Sequence, residues 1–194
     1  NDIANVLEAG ADKVSINTAA INNPKLIEEA SRIFGSSTIV ISVETIKSDN
    51  GNYLAYTDNG REFTGVNIEN WCPKVQDLGA GEIVLTSIDN EGTGKGFDLE
   101  ILNKIRNKLS IPIVAHGGFG NSDHIINALE SGANAVALAS MIHYGLLPTL
   151  KNHIKLKDEG NSFFFENFRT FNSFDNLSII EIKKNINKKI KLRL

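Results

Sequence analysis

The residues of this chain best suited to chemistry stand at the ends of short apolar runs. Ala115-His116-Gly117-Gly118-Phe119-Gly120 closes one such run and leads into a helix opening near Ser122. Glycines in that position let backbone amides approach an anion, and the following helix terminus adds its dipole. Ala139-Ser140 closes the next run, so the two ends form a phosphate cradle; the alternative is that the glycines only make a turn. Asn17-Thr18-Ala19-Ala20 ends an earlier run and opens a helix, offering a second anion site or, equally, a helix N-cap. Two grips of this kind suit a small molecule with a phosphate at each end. Between them lie carboxylates. Glu44 closes Ser42-Val43-Glu44 and is the candidate general acid or base, weighed against a surface salt bridge. Asp89 and Glu91 follow in Thr86-Ser87-Ile88-Asp89-Asn90-Glu91-Gly92-Thr93, where loop acids are common anyway. His116, His124, His143 and His153 show no metal-ligand spacing, so no metal is expected, and no cofactor is expected either. Cys72 sits in a helical stretch without a base in view and reads as a packed thiol.

The elements that must position these groups repeat one phrase. Val6 to Asn17, Asp77 to Ser87 and Ala128 to Ser140 each end a helix at a glycine suited to the left-handed C′ position, then run into Val, Ile and Leu. Such runs fit strands covered on both faces of a parallel sheet. Strands at Thr38 to Glu44 and Ile111 to His116, behind helices at Pro24 to Phe34 and Leu99 to Leu109, complete five alternating units. Tyr53 to Tyr56 and Glu62 to Thr64, joined by Asp58-Asn59-Gly60, read as an inserted hairpin. A closed (β/α)8 barrel needs eight strands, and in that fold chemistry is built at the strand C-terminal ends. The expected fold is therefore a partial (β/α)8 barrel, strands four to eight, over residues 1–147. A complete open α/β sheet is the alternative.

The chain opens inside an amphipathic segment, with Ile3, Val6 and Leu7 as the apolar stripe, and so reads as a fragment. As a fragment it is expected to be inactive and to self-associate through exposed sheet edges. Residues 148–176 form a polar, Phe-rich insertion (Phe163 to Phe174) that either covers a barrel end or presents an interaction patch. Residues 177–194 hold a basic helix, Ile179 to Ile190, and a tail. A net charge of -3 argues against nucleic acid or an anionic membrane as partner. No apolar run approaches the ~20 residues that span a bilayer. The single cysteine leaves no intrachain disulfide and fits a cytoplasmic location.

Gly10-Ala11-Asp12-Lys13-Val14-Ser15-Ile16-Asn17-Thr18-Ala19-Ala20 resembles the fourth-strand motif of the imidazole glycerol phosphate synthase cyclase subunit. Gly79 to Asp89, continued by Gly92-Thr93 and Gly96-Phe97-Asp98, resembles its sixth-strand motif. Gly117-Gly118 and Ala139-Ser140 resemble its seventh- and eighth-strand phosphate site. The resemblance implies a lyase of histidine biosynthesis that takes ammonia from a glutaminase subunit and forms imidazole glycerol phosphate and aminoimidazole carboxamide ribotide. It implies substrate contacts at Asn17, Thr18, Thr86, Ser87, Asp89, Gly92, Gly117, Gly118, Ala139 and Ser140. It implies an ammonia entrance at Lys13 and Glu82, with Asp12 facing the glutaminase. Three departures mark the chain: the catalytic aspartate of the family's first strand has no counterpart here, Glu44 stands for the catalytic aspartate of the fifth, and His116 and Glu91 stand for a serine and an aspartate. These departures resemble divergent cyclase-like proteins that pass ammonia to sugar amidation in surface-polysaccharide synthesis. A non-catalytic scaffold that activates the glutaminase is a further alternative, as is an unrelated phosphosugar isomerase.

Overall fold

The computed structural model describes residues 2–143 and 177–187. Five β/α units follow one another as expected. The helices are α1 (Asp2–Glu8), α2 (Thr18–Asn22), α3 (Lys25–Phe34), α4 (Ile68–Asp77), α5 (Leu99–Ile105), α6 (Ser122–Glu130) and α7 (Ile179–Asn187). The strands are β1 (Val14–Ile16), β2 (Ile39–Lys47), β3 (Tyr53–Thr57), β4 (Glu62–Asn67), β5 (Glu82–Ser87), β6 (Ile113–His116) and β7 (Ala135–Ala137). The Phe-rich stretch and the end of the basic helix lie outside the described residues.

Strands β1, β2, β5, β6 and β7 pair in that order, all parallel, as strands joined by helical crossovers do. Gly10, Gly79 and Gly132 hold φ of 104°, 99° and 107°, so the three repeated helix-to-strand phrases turn alike. The hairpin β3–β4 packs antiparallel on β2, with Asp58 and Asn59 at positive φ and Gly60 after them.

One expectation is corrected. Strand β2 does not stop at Glu44 but continues to Lys47, because Glu44 to Lys47 pair with Tyr56 to Tyr53 of the hairpin. On that side its first three residues pair with β1. On the other side Val40 to Thr45 pair with β5.

The strand period of two divides the sheet into two faces. Ile39, Ile41, Val43, Ile83, Leu85, Ile113 and Ala115 are buried under the helices and pack with Ile27, Ile68, Val75, Ile101, Leu102 and Ile125. The other face carries Ser42, Val84 and Val114, half-exposed, as the inner wall of an open barrel. Cys72 lies fully buried in the helix layer, where burial pushes its thiol up to about 12.

Candidate active site

The inner face ends in a row of polar groups. Glu44 pairs in register with Thr86, and Thr86 with His116, so the three side chains leave neighbouring strands on the same face. With strands about 4.8 Å apart, Glu44 and His116 flank Thr86 across about 10 Å of backbone. Thr86 Oγ1 lies 3.1 Å from His116 Nδ1. The Oε2 atom of Glu44 is buried and, among the described residues, has no hydrogen-bond partner. A carboxylate oxygen so placed is costly unless something else fills its lone pairs.

Glu91 arrives from the β5–α5 loop. Ser140 Oγ donates to its Oε1 at 2.5 Å, and its Oε2 lies 3.7 Å from His116 Nε2. Ser140, Glu91, His116 and Thr86 thus form a continuous polar chain over the ends of β5, β6 and the segment after β7. The sequence presents these residues separately, and nothing in their spacing joins them.

Other expected site residues fall in different places. Ser87 is next to Thr86 and therefore faces the helix layer; it is buried, and its hydroxyl lies 3.5 Å from Asp98 Oδ2. That side chain is turned away from the polar row, a consequence of strand alternation. Asp98 also accepts from the Tyr53 hydroxyl at 3.0 Å and N-caps α5 through the Ile101 amide. Burial first, and then the Asp98 carboxylate, push the Tyr53 phenol above its ordinary range.

Asn17 makes no side-chain cap to α2; its amide donates to the carbonyls of Ser42 and Tyr56 at 3.2 and 3.5 Å. Thr18 donates to Asn17 Oδ1 and accepts from the Asp58 amide, so both residues tie β1 to the hairpin. Asp89 is exposed and accepts from the Lys47 amide at 2.9 Å, closing the extension of β2.

Gly117 and Gly118 are buried, at φ of 96° and 99°. A Cβ at Gly117 would overlap the Ser87 carbonyl oxygen, and one at Gly118 that of Gly96. Close backbone approach thus demands glycine here whether or not an anion binds. The expected help from the next helix terminus is already taken. Asn121 caps α6 by accepting from the amides of Asp123 and His124, while His124 Nδ1 accepts from the Gly120 amide at 3.1 Å. Neither Asn121 nor His124 stood out in the sequence as a loop-fixing pair. Gly92 holds a φ of 72° in the loop that carries Glu91, and its Cβ position lies 3.9 Å from Ser140 Oγ. Ala139 is exposed beside Ser140.

At the opposite ends of the strands Lys13 Nζ meets Glu82 Oε2 at 2.7 Å, with Asp12 exposed next to it. Among the described residues no group of three or more His, Cys, Asp or Glu is gathered for a metal ion, and no helix is long and apolar enough to cross a membrane.

The model of the histidine biosynthesis protein family matches residues 1–148. An imidazole glycerol phosphate synthase subunit HisF from Pyrobaculum aerophilum is 42% identical over 159 residues, covering 82% of this chain and 62% of the relative. The subunit of the same name from Bacillus cereus is 46% identical over 145 residues, covering 74% of this chain and 58% of the relative. The chain therefore spans about three fifths of the length of these curated relatives. Parallel β/α units, an inner polar row at the strand ends and this extent of sequence identity agree: the chain belongs to the histidine biosynthesis protein family and carries part of its (β/α)8 barrel.

Proposed function

We propose that this chain carries the larger part of a cyclase site that joins ammonia from a glutaminase subunit to a doubly phosphorylated aminoimidazole nucleotide. The products are imidazole glycerol phosphate and aminoimidazole carboxamide ribotide. The observation that carries the reading is the inner-face row of Glu44, Thr86 and His116, with one oxygen of Glu44 buried and unpartnered among the described residues.

Attack of ammonia on a carbonyl carbon leaves excess protons on nitrogen and gathers negative charge on oxygen. A carboxylate within reach of both can take the proton from one and return it to the other, a contribution of about 10²–10⁴ in rate. Glu44 holds that position; Thr86 and His116 orient the ring beside it. Ser140 and Ala139, with Gly117 and Gly118 behind them, are assigned to one phosphate, and Asn17 and Thr18 to the other. Thr86, Asp89 and Gly92 shape the wall between, while Ser87 acts through Asp98 and the β5–α5 loop. Lys13 and Glu82, facing the far ends of the strands, form a closed pair at the ammonia entrance, and Asp12 borders the glutaminase. A cytoplasmic enzyme working as a heterodimer without a cofactor follows from this assignment.

The test is genetic. The full-length protein containing this chain is expected to restore growth of a histidine auxotroph lacking its cyclase, and Glu44→Gln to abolish the rescue. Soluble expression without rescue rejects the reading.

A further inference from the structure

We propose that Glu91 is an internal competitor for the anion site at the ends of β6 and β7, and so determines which ligands enter it. The inference rests on the assignment of Ser140 and its neighbours to a ligand phosphate. The two side chains that an anion would use at this corner of the barrel are the Ser140 hydroxyl and the His116 imidazole. Both already face a carboxylate. Ser140 Oγ donates to Glu91 Oε1 at 2.5 Å, and His116 Nε2 stands 3.7 Å from Glu91 Oε2. A charge-assisted hydrogen bond of that length satisfies the hydroxyl fully. Its donor is thereby withheld from any incoming group that does not first displace Glu91.

The loop holds the Glu91 backbone and leaves its side chain able to turn outward: the Glu91 amide donates to the Ser87 and Ile88 carbonyls at 3.1 and 3.2 Å. Its base is fixed: Asn90 Nδ2 donates to the Gly96 carbonyl at 2.9 Å, and the Gly96 amide donates to Gly118 at 2.7 Å. Beyond Glu91 the chain turns through Gly92 and Gly94, at φ of 72° and 68°, which glycine adopts without steric cost. The Glu91 and His116 side chains retain 34% and 23% of their exposure, so solvent and ligand reach the contact. A dianion arriving at Ser140 meets a like charge within a few ångströms. It enters only by driving Glu91 outward or with energy supplied by contacts elsewhere in the barrel. Weakly held monoanions are excluded, and a ligand anchored at a second point is favoured.

Binding of inorganic phosphate to the full chain, followed by ³¹P line broadening at neutral pH, tests this. Glu91→Gln keeps the shape and an acceptor for Ser140 but removes the charge. It is expected to bind phosphate about tenfold more tightly than the parent, the effect of one unit charge near a dianion in a wet site. Adding Ser140→Ala to Glu91→Gln is expected to remove the gain, while matching circular dichroism establishes that the variants are folded. Equal or weaker binding by Glu91→Gln leaves the anion site standing and overturns the competitor role. Absence of phosphate binding in the parent and every variant overturns both.

Discussion

Two glycines with nearly the same backbone allow steric fit to be separated from backbone strain. Gly118 and Gly10 sit at φ of 99° and 104°. Replacing either by alanine forces an L-residue into the left-handed half of conformational space, at about 1–3 kcal/mol each. Around Gly10 a Cβ would find nothing within 4 Å, whereas at Gly118 it would overlap the Gly96 carbonyl oxygen and press on Asn90 Cβ at 3.0 Å. Backbone cannot turn aside as a flexible side chain can. Gly118→Ala therefore adds overpacking of about 1–3 kcal/mol and weakens the Gly96-to-Gly118 hydrogen bond, a further ~1 kcal/mol. For a domain of this size each kcal/mol lowers the melting temperature by about 2–4 °C. Gly118→Ala is expected to melt roughly 5–15 °C below Gly10→Ala when both are followed by circular dichroism. Melting within about 2 °C of one another would refute the close approach of the two loops on which the site geometry depends.

Two further outcomes follow from titrating groups. The Cys72 thiol, buried and held at about 12, is expected to stay protonated and unreactive toward a disulfide reagent at pH 8 until denaturant is added; stoichiometric modification of the native chain would contradict its burial. The Glu69 carboxyl is held below its ordinary range mainly by the Lys108 ammonium at 2.6 Å. Its folded value lies below its unfolded one, so its contribution is present above pH ~4.5 and is lost as pH falls through the folded value. Lys108→Met should lower the urea midpoint slightly at pH 7, by no more than about 1 kcal/mol for so exposed a pair, and flatten the acid limb so that the two profiles converge towards pH ~3.

Local grammar was readable from the chain wherever neighbours in sequence decide the outcome. Glycine at the C′ position followed by Val, Ile and Leu predicts the turn into β1, β5 and β7, and the Asp58-Asn59-Gly60 turn predicts the hairpin. What escaped depends on distant partners. Ile46 and Lys47, the last residues of β2, find their strand partners in the hairpin that folds back on them. Asn121, one residue before α6, takes the first-turn amides of the helix terminus expected to face an anion. The Glu91–Ser140 bond joins positions 49 apart in sequence, and no periodicity anticipates it. Ser87 is different, because adjacent strand residues face opposite ways and alternation alone places it behind Thr86.

Strand β2 serves two neighbours along a single edge, first β1 and then the hairpin, and the Asn17 carboxamide spans the junction by reaching both Ser42 and Tyr56. A stave of the cylinder can in this way bear a graft on its upper half while its lower half keeps its seat. The hairpin beside Glu44 is then free to change length and composition without asking the wall beneath it to move.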